Sequence, residues 1–406
     1  MSASTTRTTG STAGLRAGAV EELTIEVPDA AIEDLHTRLS KTRWADDFAN
    51  DDWRYGANGA YLRELVEYWL DGYDWRKHES AMNHYPQRRV QLDDIPVHFM
   101  HIEGRGQRRV PLILTHGWPW SFWDFERVIA PLADPASAGL TDDIAFDLVV
   151  PSLPGYAFSS PLRRPGVSPQ LVADLWRRLM VDVLGYEHFA AHGGDQGALV
   201  TANLGHAHAD CLIGAHLSLP VLLGFAWGNT AAGHIVSAAD YAPDEAGWYE
   251  TWTSRMNSAR AHSIAHRQAP QTLGWAFNDS PVGLAAWIVE RRRLWSDCDG
   301  DVERVFSKDF LLTLVSIYWF TQTVHTTMRS YTALDTWQAR HDRTPPIEAP
   351  TGMAVFPKDL LLLPRTMFAE HANLVRWSVM PCGGHFAAAE QPDLLAGDIR
   401  DFVRNL

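Results

Sequence analysis

Three cysteines in 406 residues are few, and Cys211, Cys298 and Cys382 lie far apart with no CxxC pair. That spacing excludes an even-numbered disulfide framework and sets a reduced, cytoplasmic protein as the expectation. No apolar run reaches the roughly 18 residues of a membrane span, so none is expected. The N-terminal MSASTTRTTGSTAGLRAGAV is rich in Ser, Thr and Gly and lacks the apolar stretch of a secretory signal. Lysine is almost absent, although arginine is abundant. Lysine occurs only at Lys41, Lys77, Lys308 and Lys358, and the net charge is −14. A polyanion binder carries a basic patch or domain, so nucleic acid is not an expected partner.

What is present is ordinary globular composition, 46% hydrophobic and 21% charged, in a chain long enough to bury a large core without disulfide or metal staples. One count departs from the ordinary: 17 tryptophans. An indole is costly to leave in water, so many of these rings should line cores or a ligand cavity.

Residues 1–21 carry the composition of a disordered tail. After Pro28, with Asp29 as a candidate N-cap, Ile32, Leu35 and Leu39 recur at helical spacing. Leu62, Leu65, Val66 and Trp69 do the same over 61–70. Residues 88–102 alternate around Asp93-Asp94 as a β-hairpin would. From 111 to 220, short apolar runs alternate with helical stretches as β-α-β-α-β-α-β, the pattern of a parallel α/β sheet. From about 221 to 349 helical stretches replace the strands. Strands return at 352–357 and 374–380, and an amphipathic helix ends the chain. The pattern predicts one α/β core interrupted by a helical insertion.

Gly193-Gly194-Asp195-Gln196-Gly197 has the small-x-nucleophile-x-small spacing of a nucleophile elbow, with Asp in place of Ser. A sharp strand-to-helix turn holds its central residue at strained angles, and small neighbours avoid the resulting clashes. A carboxylate suits displacement at a saturated carbon and forms an alkyl-enzyme ester, which points to epoxides or alkyl halides rather than ordinary esters. Cleaving that ester needs a base. His385, in Cys-Gly-Gly-His-Phe after the last strand, follows the chain order nucleophile, acid, histidine. Asp359, in Pro357-Lys358-Asp359 at the end of the preceding strand, is the candidate acid that orients the imidazole, with Glu370 as the alternative. The oxyanion should meet the backbone N–H groups of Gln196 and of Trp118 in His116-Gly117-Trp118-Pro119, whose Trp118–Pro119 bond is a candidate cis peptide.

HGWPWS, DLVVPSLPGYAFS, GGDQGA and GGHFAA resemble the α/β-hydrolase-fold epoxide hydrolases of the microsomal and juvenile-hormone type. RWADDF, WRYGANGAYLRELVEYWLDGYDWRKHE and VHFMHIEG resemble that family's N-terminal domain, and NDSPVGLAAWI its cap motif. The resemblance covers about Leu23 to Leu406 and implies an α/β-hydrolase fold with a mostly parallel sheet. It divides the chain into a tail (1–21), an N-terminal strap (22–92), a first core part (93–220), a helical cap (221–349) and a second core part (350–406). It implies Asp195 as nucleophile, His385 as base and Asp359 as acid. It also implies cap tyrosines that hydrogen-bond the epoxide oxygen, one of them matched by Tyr331.

The position of the second tyrosine is His262, and His266 stands where a Gln is usual; Gln196 replaces an aromatic residue usual after the nucleophile. His262 can serve as the second donor to the epoxide oxygen. His262 and His266 at i,i+4 could instead ligate a metal, but no HExxH motif accompanies them. The expected reaction is hydrolysis of an epoxide, with an aromatic or natural-product epoxide favoured by the aromatic cap. Its partners are that substrate and water, with no cofactor, and a homodimer is an open assembly. A haloalkane-type dehalogenase shares the Asp–His–acid set, although the Trp such enzymes place after the nucleophile is Gln196 here. A non-catalytic ligand-binding relative of the same scaffold is the third alternative.

Overall fold

The computed structural model describes residues 18–224, 236–334 and 344–406, with the side chains of 257–259 set aside. The first 17 residues of the expected tail therefore lie outside the described residues, as do Trp227 and Trp337. Nine strands form one sheet: β1 (Glu21–Leu23), β2 (Gln87–Leu92), β3 (Ile95–Ile102), β4 (Arg108–Thr115), β5 (Ile144–Pro151), β6 (Phe189–Gly193), β7 (Leu212–Leu217), β8 (Ile347–Val355) and β9 (Ala372–Val379). Their order is β1-β2-β3-β5-β4-β6-β7-β8-β9. β1, β2, β3 and β5 are joined antiparallel, and every pairing from β5 onward is parallel.

The hairpin register follows its turn. Leu92 pairs with Ile95 around Asp93, which adopts φ 56°; Asp tolerates that left-handed region better than most residues. All eight residues of β5 are buried, as expected of a parallel strand covered on both faces. β1 begins at Glu21, slightly ahead of the expected start. The Gly18 N–H already bonds the Gln91 carbonyl, because the edge of β2 offers free backbone partners.

The first helix spans Asp29–Ser40, but Pro28 holds the cap position, so the expected Asp29 N-cap is corrected. Asp29 is instead the first helical residue, where its carboxylate faces the positive helix terminus and pairs with Arg76. Leu62, Leu65, Val66 and Trp69 form the buried stripe of Gly59–Asp71, capped by the Asn58 side chain on the Tyr61 N–H. The helix from Pro169 is regular to Arg177 and then π-helical over Arg178–Val183.

Between β7 and β8 the chain leaves the sheet for the helices Trp248–Gln268, Pro270–Asp279, Pro281–Trp295, Lys308–Thr321 and Val324–Arg329. The Ser-Pro of NDSPVG has a local cause: Ser280 caps the Gly283 N–H and Pro281 takes the first turn, where no donor is lost. Residues of the N-terminal segment grip this insertion. Tyr68 donates to Asp309 at 2.8 Å, the Tyr73 and Thr313 hydroxyls bond at 3.1 Å, and Arg38 bonds Asp279. No described helix is long and apolar enough to cross a membrane.

Candidate active site

β6 ends at Gly193 and a helix starts at Gln196, leaving Asp195 at φ 50° and ψ −124° at the top of the sheet. A Cβ on Gly197 would sit 2.0 Å from the Thr115 carbonyl oxygen, and one on Gly117 would sit 2.3 Å from the Asp195 side chain. Only glycine lets β4 and its following loop come this close to the elbow.

Trp118 donates its backbone N–H to Asp195 Oδ1 at 2.8 Å, and the Gln196 N–H also bonds the carboxylate. The Trp118–Pro119 bond is cis, as the sequence suggested. His385 Nε2 lies 3.2 Å from Asp195 Oδ2, and its Nδ1 lies 2.7 Å from Asp359 Oδ1. Glu370, the alternative acid, is exposed on the helix Arg365–His371 and makes no such contact. A strand-end aspartate reaches the imidazole, whereas a helix residue beyond it points to solvent.

Burial alone would raise the Asp195 carboxyl, but the His385 hydrogen bond and charge, with the two N–H groups, hold it below the usual range. Burial would likewise lower His385. The Asp359 charge and the hydrogen bonds that the ring donates to both carboxylates instead push it up to about 10. At rest the imidazole is thus a cation between two anions.

Tyr331 reaches the same cavity from the insertion, fully buried, with its hydroxyl 3.0 Å from His262 Nε2. Burial first, and the Asp195 charge second, hold the phenol well above its usual value, so it stays a donor. His262 stacks on Trp118 with ring centroids 5.1 Å apart and planes 7° apart. His266 is fully buried, accepts from the Trp287 indole at 3.2 Å and is pushed down to about 3 by burial, so it remains neutral. The Nε2 atoms of the two histidines therefore face different partners instead of converging on one point. Among the described residues no group of three metal-ligating side chains is found.

The cavity measures about 220 Å³. Asp195, Gln196 and His385 form its floor, Tyr331 and His262 face them, and Leu199, Leu219, Val221, Met256, Leu360 and Leu361 supply apolar walls. Among the described residues no tryptophan lines it; the buried indoles pack in cores, one of the two places expected of them. Trp118, Trp120 and Trp295 are buried behind the site, with Trp120 and Trp295 edge-on to His385 at 5.7 and 5.4 Å. A flat rigid ring fixes the orientation of an imidazole better than it forms an adaptable wall.

Three supports escaped the sequence. Glu390 accepts the N–H groups of Asp297, Gly384 and Phe386 at 2.8–2.9 Å and so fixes the loop on both sides of His385. The Trp295 carbonyl accepts the His385 N–H at 3.0 Å. Arg292, fully buried, bonds Asp124 at 2.5 Å and the Pro119 carbonyl at 2.9 Å, and lies 3.9 Å from the Phe386 ring centroid. The one signal the sequence offered was that Arg292 falls at helical spacing with Ala285, Ile288 and Trp295, and its two neighbouring arginines masked that.

Residues 20–125 match the family model described as epoxide hydrolase N terminus, and 110–299 match that of the alpha/beta hydrolase fold. The chain is 33% identical to Epoxide hydrolase 1 of Oryctolagus cuniculus, covering 96% of this chain and 90% of that protein. The crystal structure of juvenile hormone epoxide hydrolase from the silkworm Bombyx mori superposes with a TM-score of 0.85 at 26% identity, covering 96% of this chain and 95% of that one. The Aspergillus niger epoxide hydrolase gives 0.79 at 30% identity, with 95% and 96% covered. An aspartate elbow, an imidazole held between two carboxylates and these matches along nearly the whole chain agree: the protein belongs to the epoxide hydrolase family of the α/β-hydrolase fold and is an epoxide hydrolase.

Proposed function

We propose that the protein converts its epoxide to a vicinal diol through an ester between the substrate and Asp195. The observation that carries this reading is the opposition of the Asp195 carboxylate and the Tyr331–His262 pair across one small apolar cavity. Asp195 Oδ1 is held by the Trp118 backbone N–H, with the Gln196 N–H also on the carboxylate, which suits it to become the carbonyl oxygen of the ester. Oδ2 is then the attacking atom. It forms a bond to one epoxide carbon while that carbon's bond to the ring oxygen breaks, and the oxygen takes the Tyr331 proton. The His262–Tyr331 contact keeps the phenol aimed at the cavity.

Ester formation removes the Asp195 charge, one of the two anions that keep His385 protonated. Its proton affinity falls and it gives up its proton, which restores the Tyr331 phenol; once neutral, the imidazole can take a proton from water. That water attacks Cγ of Asp195. The negative charge develops on Oδ1, under the Trp118 N–H, and collapse breaks the Cγ–Oδ2 bond; the departing oxygen takes the proton of the new carboxyl group, so the diol leaves with the former Oδ2 and Asp195 is again a carboxylate beside a protonated His385.

The order of bonds makes the test direct. A single turnover in labelled water is expected to place the label in Asp195 and none in the diol. Label in the diol with an unlabelled protein would mean that water attacks the epoxide itself.

A further inference from the structure

On the helix Trp248–Gln268, Met256, Arg260, Ser263, Ile264 and Arg267 share one side at helical spacing, and all five line the cavity. Half-exposed Ile264 marks the rim of the cavity. Two guanidinium groups therefore flank the entrance to an apolar chamber. Among the described lining residues the only carboxylate is that of Asp195, already engaged by His385.

Arg260 is half-buried and, among the described residues, forms neither an ion pair nor a hydrogen bond. Arg38, Arg76, Arg177 and Arg178, by contrast, each meet a carboxylate. Arg267 is steadied by its Nε donating to Ser263 Oγ at 3.2 Å.

We propose that the substrate is an epoxide on an apolar body that carries a carboxylate at its far end, received at the rim by Arg260 with Arg267 beside it. This rests on the reading of Asp195 as the attacking group and adds the substrate class to it. A guanidinium fork matches a carboxylate in bidentate fashion. The His385 cation at the floor is already paired with Asp195, so a substrate carboxylate is drawn to the rim instead, and the two ends of the cavity orient the epoxide toward the nucleophile. A local positive rim also offsets the repulsion that the net charge of −14 imposes on an approaching anion.

The test uses a chain-length series of terminal epoxy fatty acids and their primary amides, which match in shape and differ in charge. The full-length enzyme is expected to show a higher kcat/KM for the acid than for the amide at the best length, with the ratio falling as ionic strength rises. Arg260→Met is expected to lower that acid-to-amide ratio about tenfold, mainly through KM, and Arg260→Lys to restore part of it. A wild-type ratio of one or below at every length and salt concentration overturns the proposal without any variant. So does a ratio that Arg260→Met leaves unchanged. Diol from the amides with no preference for the acids sinks the anion assignment alone, whereas no diol from either, with no ester on Asp195, sinks the catalytic reading beneath it.

Discussion

At Asp195 and His385 the decisive quantity is charge, and it changes during the reaction we propose. His385 is pushed up to about 10 because two carboxylates face it against the cost of burial. Asp195→Asn keeps the shape and removes one of those charges. The imidazole is then expected to titrate well below 10, and NMR titration of His385 in both proteins measures the difference; an unchanged value would mean that Asp195 does not hold the proton. In the proposed reaction Tyr331 acts by donating, and burial favours its protonated phenol. Tyr331→Phe is expected to slow single-turnover ring opening by roughly 10²- to 10⁴-fold, the usual range for a positioned general acid. His262→Phe preserves a ring to stack on Trp118 but removes Nε2, so a smaller slowing of the same step is expected, without loss of fold. These identities were largely legible in the sequence, because an elbow, a Gly-Gly-His loop and a strand-end aspartate are local patterns. Asp359 was likewise the preferred acid, with Glu370 as the alternative, but only the fold shows which carboxylate comes to within 2.7 Å of the imidazole.

The loop around His385 depends on a short helix, Ala387–Glu390, whose last residue folds its carboxylate back onto three N–H groups. Burial raises Glu390 to about 7, above its ordinary value, despite those donors. The raised value gives the sign of its linkage to folding. The stability contributed by Glu390 is fully present below the unfolded carboxyl range and is lost as pH rises through about 7. Glu390→Gln places an amide NH₂ against an N–H donor. It is expected to cost about 1–3 kcal/mol in denaturant unfolding, to flatten the pH dependence of stability between about 5 and 7, and to lower turnover through a displaced His385. Undiminished stability together with full turnover would remove Glu390 from this supporting role.

Across the molecule, the insertion and the sheet meet through Arg292 and Asp124, which are 168 residues apart and both buried. The guanidinium spans the cis-proline loop and the ring beside His385, so it joins the cap to both halves of the catalytic floor. Removing one partner leaves the other charge buried alone, at a cost of about 3–5 kcal/mol. Arg292→Met is therefore expected to lower the thermal midpoint sharply. Adding Asp124→Asn should recover a substantial part of the loss, and a second loss of equal size would mean that the two residues act independently.

The sequence by itself determined the strand and helix periods, the capped turns, the aspartate elbow and the order of the catalytic candidates, because each is set by residues within a few positions of one another. Tertiary structure decided what requires distant segments to meet. It carried Asp359 to the imidazole, set the tryptophans behind the cavity instead of along its wall, turned His262 onto Tyr331 and brought Arg292 to Asp124. A count of indoles carries no direction, and only packing tells which face of a ring meets a neighbour and which meets the empty volume that a substrate fills.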